Sequence, residues 1–314
     1  MSLPIPFISQ LNSEEKQAWL ANLKAALPEE NFVLFEQITE VDKKHCQLAI
    51  VANPEPKELL AFSQLVWVQS VWAGVERLVS EVGEQPFDIV RLVDPVLSQT
   101  MAEAVLAWTL YLHRDMPNYR LQQMNRCWQQ RPYVPASKRK VGILGLGELG
   151  RGSAIRLADN GFDVMGWSKS KKEMDDISTF CGDEGLTKMI SQCHLLVCLL
   201  PLTDATLKVI DEKVLLTLPK GASLINFSRG SIIDTSALVT LLDNGHIGHA
   251  VLDVFEQEPL APDSLLWAHP NITILPHISA PTNIESACQI VANNIRQYRK
   301  FGKISTVVDK IKGY

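Results

Sequence analysis

The chain is expected to fold as a parallel α/β protein with two lobes. Three features of the sequence point there. Short apolar or β-branched runs alternate with stretches of helical spacing, the pattern of parallel strands joined by helices that cover both sheet faces. The 314 residues exceed what one hydrophobic core usually serves. A Gly-x-Gly-x-x-Gly element lies directly between one apolar run and the helical stretch that follows it.

In chain order, a first strand is expected over residues 4–8 and a helix over 13–27. Strands over 48–51 and 65–69 continue the first lobe. The loop 94–99 leads into a long helical pattern over 101–119, placed to carry the chain into a second lobe. Residues 129–140 (QQRPYVPASKRK), with two prolines and a basic end, read as a surface loop before a strand over 141–144. A helix over 150–160 and strands over 162–167, 195–200 and 223–226 come next. Asp234 is an N-cap candidate for a helix over 235–244, which Asn244-Gly245 closes. Strands over 250–254 and 272–275 precede a helix over 284–301 that returns the chain to the first lobe. The domains so drawn are 1–98 with 282–314, and 99–281.

Bulk composition narrows the function. Hydrophobic residues make up 46% and charged residues 21%, ordinary for a globular protein, and the net charge of −5 argues against a general nucleic-acid binder. The six cysteines are scattered with no Cys-x-x-Cys pair, so no zinc or redox motif is expected and reduced thiols in the cytoplasm are. The amino-terminal residues lack the basic and apolar regions of a secretory signal. The apolar stretch 194–202 is far shorter than the roughly 20 residues of a membrane helix. A soluble protein with no membrane, nucleic-acid or metal partner is the expectation.

The glycine element reads Gly145-Leu146-Gly147-Glu148-Leu149-Gly150. Gly145 permits the tight turn, Gly147 lets backbone approach a pyrophosphate, and Gly150 lets helix and strand pack closely. The helix start, at Glu148 and Leu149, then offers free N–H groups to phosphate. A glycine-rich turn without a ligand is the competing reading, and the strand–turn–helix–strand context argues against it. After the next strand an NAD enzyme usually carries Asp or Glu for the ribose 2′-hydroxyl. This chain has Trp167-Ser168-Lys169-Ser170-Lys171-Lys172 instead. Hydroxyl and ammonium groups suit a 2′-phosphate, so NADP(H) is favoured, with NAD(H) possible.

Three later segments each end an apolar run and carry a polar residue: Asn226-Phe-Ser-Arg229-Gly230, Asp253-Val-Phe-Glu-Gln-Glu258-Pro259, and Pro276-His277. In an open parallel sheet, ligand sites form beyond the carboxyl ends of the strands, where these residues would sit. A 2-keto acid needs a planar cation for its carboxylate, a proton donor for its carbonyl oxygen, and a partner for that donor. Arg229, His277 and Glu258 match that need. The remaining histidines follow no metal-ligand spacing, and Cys198, inside an apolar run, reads as buried packing.

Together and in this order, the glycine element, the Asn-x-Ser-Arg-Gly segment, the Asp-Val-Phe-x-x-Glu-Pro-Leu segment and the late Pro-His resemble the D-isomer-specific 2-hydroxyacid dehydrogenase family over essentially the whole chain. Trp-Ser-Lys-Ser-Lys-Lys at 167–172, Leu-Trp-x-His-Pro at 266–270 and the terminal Val-Asp-Lys-Ile-Lys-Gly-Tyr are most similar to its glyoxylate/hydroxypyruvate reductases of type A. The resemblance implies two Rossmann-like domains with parallel sheets, one flavodoxin-like and one dinucleotide-binding, linked by crossing helices. It implies NADPH-dependent reduction of small 2-keto acids, glyoxylate to glycolate and hydroxypyruvate to D-glycerate, by a homodimer. His277 would protonate the carbonyl oxygen, Glu258 would hydrogen-bond His277 and keep it protonated, and Arg229 would hold the carboxylate. Asp253 would contact the nicotinamide carboxamide. Leu200, Pro201 and Thr206 would lie beneath the adenosine and nicotinamide ribose. Backbone amides of Trp72, Ala73, Gly74 and Val75 would grip the substrate carboxylate. Met101 and Glu103 match the start of the crossing helix. Glu76 stands where the family often has Asp, and the bulky Trp72, in place of a small residue, implies a tight pocket. The carboxyl end, at Tyr314, leaves no expectation of a regulatory domain. A broader D-lactate-type dehydrogenase and a dinucleotide-sensing binding protein, like the family's corepressors, stay open as alternatives.

Overall fold

The computed structural model describes residues 3–82 and 85–313. The chain divides into two compact units, Met1–Val96 with Thr282–Tyr314, and Leu97–Pro281.

The first unit is built on a five-stranded sheet of β1 (Ile5–Ser9), β2 (Phe32–Leu34), β3 (Leu48–Ala52), β4 (Trp67–Ser70) and β5 (Asp88–Val90), in the order β2-β1-β3-β4-β5. Every pairing is parallel. Side chains alternate across a strand, so successive residues serve opposite faces. Ile5, Phe7, Ile50 and Trp67 pack on one face with Trp19 and Leu23 of the helix Ser13–Ala26 and Val291 and Ile295 of the helix Ile284–Phe301. Ile8, Ala49, Val51 and Val68 pack on the other with Phe62, Leu78 and Val79. The first helix starts at a reciprocal cap: Glu15 N donates to Asn12 Oδ1 at 3.0 Å, and Asn12 N to Glu15 Oε2 at 3.1 Å. The edge of β5 is met by the carboxyl-terminal segment, where Val308 N donates to Ile89 O at 2.8 Å.

The second unit carries a seven-stranded parallel sheet: β6 (Lys140–Leu144), β7 (Asp163–Ser168), β8 (Ser178–Cys181), β9 (Leu195–Cys198), β10 (Ala222–Asn226), β11 (Ile247–Leu252) and β12 (Ile272–Ile274). Its order is β12-β11-β10-β9-β6-β7-β8. From β6 the chain first winds outward through β7 and β8, then returns to β9 and winds the other way. That reversal between β6 and β9 leaves a crevice at the carboxyl ends of the strands, the place where such sheets bind ligands. Both faces are covered. Leu144, Leu196, Leu224 and Leu252 face one apolar layer, and Ile143, Val197, Ile225 and Val251 the other. The sheets and alternating helices are those expected of two Rossmann-like domains.

Two local features differ from the sequence expectation. The residues read as the loop 94–99 are the first turn of the helix Pro95–His113. Asp94 caps it by accepting from Val96 N at 2.8 Å, and Pro95 sits where a helix has no use for an N–H. The helical pattern over 101–119 is two helices, because Asp115 adopts a left-handed backbone (φ 57°) and Pro117 lies in the first turn of the next helix, Met116–Met124. Proline lacks the donor that a continuous helix would require there. Strands β2, β5 and β8 are additional to the strands the sequence predicts. Each is a sheet edge, three or four residues long, and β8 is largely unburied. Among the described residues, no helix is long and apolar enough to cross a membrane.

Candidate active site

The glycine turn has the geometry its sequence implies. Gly145 has φ +99° and donates its N–H to Trp167 O at 2.8 Å, and a Cβ there would lie 2.8 Å from Leu199 O. A Cβ on Gly150 would run into the carbonyl of Gly145. Gly147 is different. It caps the helix Glu148–Asp159 with an ordinary backbone (φ −77°), among the described residues no side chain caps the helix start, and a Cβ there would meet nothing within 4 Å. This open space over uncapped N–H groups is a cradle that fits a phosphate. Glu148 is exposed beside it, and Leu149 packs against the core beneath.

The loop after β7 separates frame from face. Trp167 is buried and its indole donates to Gly182 O at 2.9 Å, while Ser168 Oγ donates to Ser170 O at 2.7 Å. These two residues, expected among the cofactor contacts, hold the loop together. Lys169, Ser170 and Lys172 are exposed, and Lys171 pairs with Glu173 at 3.3 Å. After β9, Leu200 is buried and its carbonyl accepts from Ser228 Oγ. Thr206 Oγ1 donates to Pro201 O at 2.6 Å and accepts from Thr203 N at 2.8 Å, so its hydroxyl serves the turn.

Arg229, Glu258 and His277 follow the carboxyl ends of β10, β11 and β12 in turn. Asn226, buried at the end of β10, brackets the next turn: its Oδ1 accepts from Ser228 N at 3.1 Å and its Nδ2 donates to Arg229 O at 3.0 Å. Arg229 Nη1 donates to Ser228 O at 2.7 Å. Gly230 lies so close to the backbone of Phe255 and Glu256 that a Cβ would collide with both. The Arg229 turn and the segment bearing Glu258 therefore touch main chain to main chain. Glu258 Oε1 accepts from Phe255 N at 2.9 Å, and its Oε2 lies 2.8 Å from His277 Nδ1. With Nδ1 donating to the carboxylate, Nε2 is the ring nitrogen left for a substrate. The imidazole is about half exposed (54%), so it is open to a ligand. His277 has φ +54°, a left-handed conformation that costs a residue with a side chain on the order of 1 kcal/mol or more. Asp253, 2% exposed, supports that turn: its Oδ1 accepts from Ile278 N at 2.7 Å and its Oδ2 from Ser279 N at 2.9 Å.

Trp72, Ala73, Gly74 and Val75 belong to the first unit. Trp72 packs edge-on against Trp19 at 5.8 Å, with its indole nitrogen buried and without a hydrogen-bond partner. Ala73 and Gly74 are half-buried, and Val75 is buried. Asn226, Ser228 and Gly230 are the residues that sequence reasoning missed as supports of the site. The Asn-x-Ser spacing was a usable signal, since an asparagine side chain commonly accepts from the backbone two residues on.

The other titratable groups have structural occupations. His249, buried on β11, meets Thr273 Oγ1 at 2.9 Å, and burial, then the nearby His269, pushes its pKa down to about 4. His194 Nδ1 accepts from Lys140 N at 3.0 Å, and His269 Nε2 lies 3.2 Å from Asp243. Cys198 is fully buried and burial pushes its thiol up to about 12.

Comparison with known proteins agrees with this geometry. Residues 106–279 match the family described as D-isomer specific 2-hydroxyacid dehydrogenase, NAD binding domain. A D-isomer specific 2-hydroxyacid dehydrogenase from Xanthobacter autotrophicus Py2, solved with NADPH and MES, is 34% identical, with all of both chains covered and a TM-score of 0.94. An NADPH-dependent glyoxylate/hydroxypyruvate reductase from Sinorhizobium meliloti, solved with NADP and sulfate, is 30% identical over all of both chains, with a TM-score of 0.92. A probable 2-hydroxyacid dehydrogenase from Rhizobium etli CFN 42, solved with NADP, HEPES and L(+)-tartaric acid, is 28% identical over all of both chains, with a TM-score of 0.91.

Proposed function

The chain belongs to the D-isomer-specific 2-hydroxyacid dehydrogenase family, and on that premise we propose that it reduces small 2-keto acids with NADPH, glyoxylate to glycolate and hydroxypyruvate to D-glycerate. The observation that carries the reading is the 2.8 Å contact between His277 Nδ1 and Glu258, at the carboxyl edge of the same sheet as the glycine cradle. NADP(H) is favoured because the loop after β7 presents Lys169, Ser170 and Lys172 to solvent and no carboxylate where a ribose 2′-hydroxyl would be read. The relatives solved with NADPH or NADP support the same choice.

The dinucleotide, when bound, supplies the hydride. The chain supplies the rest. Arg229 binds the substrate carboxylate through its planar fork. His277 Nε2 gives its proton to the carbonyl oxygen, completing the hydroxyl of the product, and takes a replacement from water. Glu258 fixes the ring through Nδ1, which keeps Nε2 directed to the substrate. In reverse, with the oxidised dinucleotide as hydride acceptor, a D-2-hydroxy acid would be oxidised and His277 Nε2 would take the hydroxyl proton.

The chain also reads as a cytoplasmic homodimer. Six unpaired cysteines suit a reducing compartment. Met116 (43% exposed), Met124 (72%), Trp128 (98%) and Tyr133 (73%) are exposed apolar side chains within residues 116–133 of the second unit. Arg131 draws that stretch together through Asp115 at 2.8 Å and the Tyr119 hydroxyl at 3.0 Å. Exposed apolar surface of this kind marks association.

A panel of glyoxylate, hydroxypyruvate, pyruvate and bulkier keto acids, each followed by NADPH and NADH absorbance, tests the proposal. Turnover of the two smallest acids with NADPH is expected. Preference for NADH by tenfold, or for a bulky acid, would shift it to a broader dehydrogenase, and no turnover with any acid would favour a dinucleotide-sensing role.

A further inference from the structure

We infer that Asp253 is a positioning residue for the His277 imidazole, acting through the backbone of the turn that carries it. The inference rests on the reading of His277 as proton donor. One residue at the end of β11 fixes three consecutive N–H groups at the end of β12. Its carbonyl accepts from His277 N at 2.9 Å, Oδ1 from Ile278 N at 2.7 Å, and Oδ2 from Ser279 N at 2.9 Å. Among the described residues, the hydrogen bonds of this carboxylate all go to that turn.

His277 needs such an anchor. A left-handed backbone at a residue with a side chain persists only where its surroundings impose it, and here φ is +54°. The backbone angle sets the direction of the Cα–Cβ bond, and with it the side of the sheet end on which the ring lies. Glu258 then holds the ring itself at 2.8 Å. Two carboxylates thus divide the work: one fixes the turn and the other the imidazole. Both oxygens of Asp253 are needed. An asparagine would keep one acceptor and turn an NH2 toward the second N–H, so even this isosteric change breaks the clamp. A side chain retained only to contact a ligand amide would tolerate that exchange far better.

Asp253→Asn and Asp253→Ser test this in the ligand-free full chain. The hydrogen-bonded imidazole N–H of His277 gives a low-field proton resonance, assigned by its loss in His277→Gln. In both variants, with folding checked by circular dichroism, the resonance is expected to disappear or broaden. The turnover number with glyoxylate should fall by about 10²-fold, the penalty of a misplaced acid. The Kd for NADPH, read by quenching of tryptophan fluorescence, should stay within roughly threefold of the parent. An unchanged resonance in either folded variant would overturn the inference, most plainly if NADPH binding weakened about tenfold or more. Failure of both variants to fold would overturn it too, assigning Asp253 to the stability of the unit. A chain inactive on every keto acid would defeat the functional reading yet leave the imidazole resonance to report on the clamp.

Discussion

Gly147 and Gly150 sit three residues apart, and the structure assigns them opposite sensitivities to an added methyl group. A Cβ on Gly147 would meet nothing within 4 Å, and its φ of −77° is open to any residue. Alanine is a poorer helix cap than glycine by up to about 1 kcal/mol, but it removes freedom from the unfolded chain worth about 0.4–1 kcal/mol. The two effects offset each other, so Gly147→Ala should leave the melting temperature of the ligand-free protein within about 2 °C of the parent. The methyl group would nevertheless occupy the cradle over the helix start. Loss of one charge-assisted contact there should weaken NADPH binding about 10- to 100-fold. Gly150→Ala drives its methyl group into the Gly145 carbonyl, main chain that cannot swing aside. Overpacking of that kind costs about 1–3 kcal/mol, or several degrees of melting temperature. Thermal unfolding of both variants without ligand, followed by fluorescence titration with NADPH, separates the two effects. A Gly147→Ala protein that binds NADPH within about threefold of the parent would refute the placement of phosphate at this turn.

Other perturbations follow from the same geometry. Arg229→Ala should lower both turnover and apparent affinity for glyoxylate, and Arg229→Lys should recover less than about tenfold of the loss, because a point charge does not reproduce a planar fork; initial-rate kinetics with both variants decide it. Replacing Lys169 and Lys172 together by alanine should raise the KM for NADPH about tenfold or more while leaving that for NADH nearly unchanged, and an equal rise for both cofactors would remove these lysines from the 2′-phosphate. His249 bears on stability against pH. Its folded pKa of about 4 lies below the ordinary histidine value of 6.5, so the unfolded chain takes up a proton that the fold refuses. Its contribution is therefore fully present above pH 6.5 and declines as pH falls toward 4, by about 3 kcal/mol in all. Urea unfolding of the parent and His249→Gln at pH 7 and pH 4.5 should show the parent losing more stability between the two, and parallel losses would contradict the assignment.

What was legible in the sequence is what repeats locally. Central strands such as β6 and β9 are buried on both faces, so they announce themselves as unbroken apolar runs, and the glycine element keeps fixed spacing because each glycine answers a separate steric demand. Edge strands escape that logic. β2 and β5 have only three residues each, and β8 leaves most of its surface to solvent, so hydrophobic patterning has little to mark. The break at Asp115 was written in Pro117 but masked by apolar spacing that runs through both helices. At the site, residue types and spacing indicated Arg229, Glu258 and His277 as a set. Of the supports around them, Asn226 bonds its own turn two and three residues on, a local pattern the Asn-x-Ser spacing carries, whereas Asp253 bonds backbone some 25 residues away that only the folded chain brings within reach. The direction of Trp72 was equally invisible, and its ring turns toward Trp19 in the core of its own unit.

The most direct measurement compares single-turnover oxidation of NADPH by glyoxylate in the parent and in His277→Ala, with NADPH affinity determined for each. The parent should turn over, and the variant should bind the cofactor comparably while its rate falls by at least about 10²-fold, the lower range for loss of a general acid. A variant that keeps a rate within about tenfold of the parent would contradict His277 as the proton donor, and with it the chemistry built on its contact with Glu258.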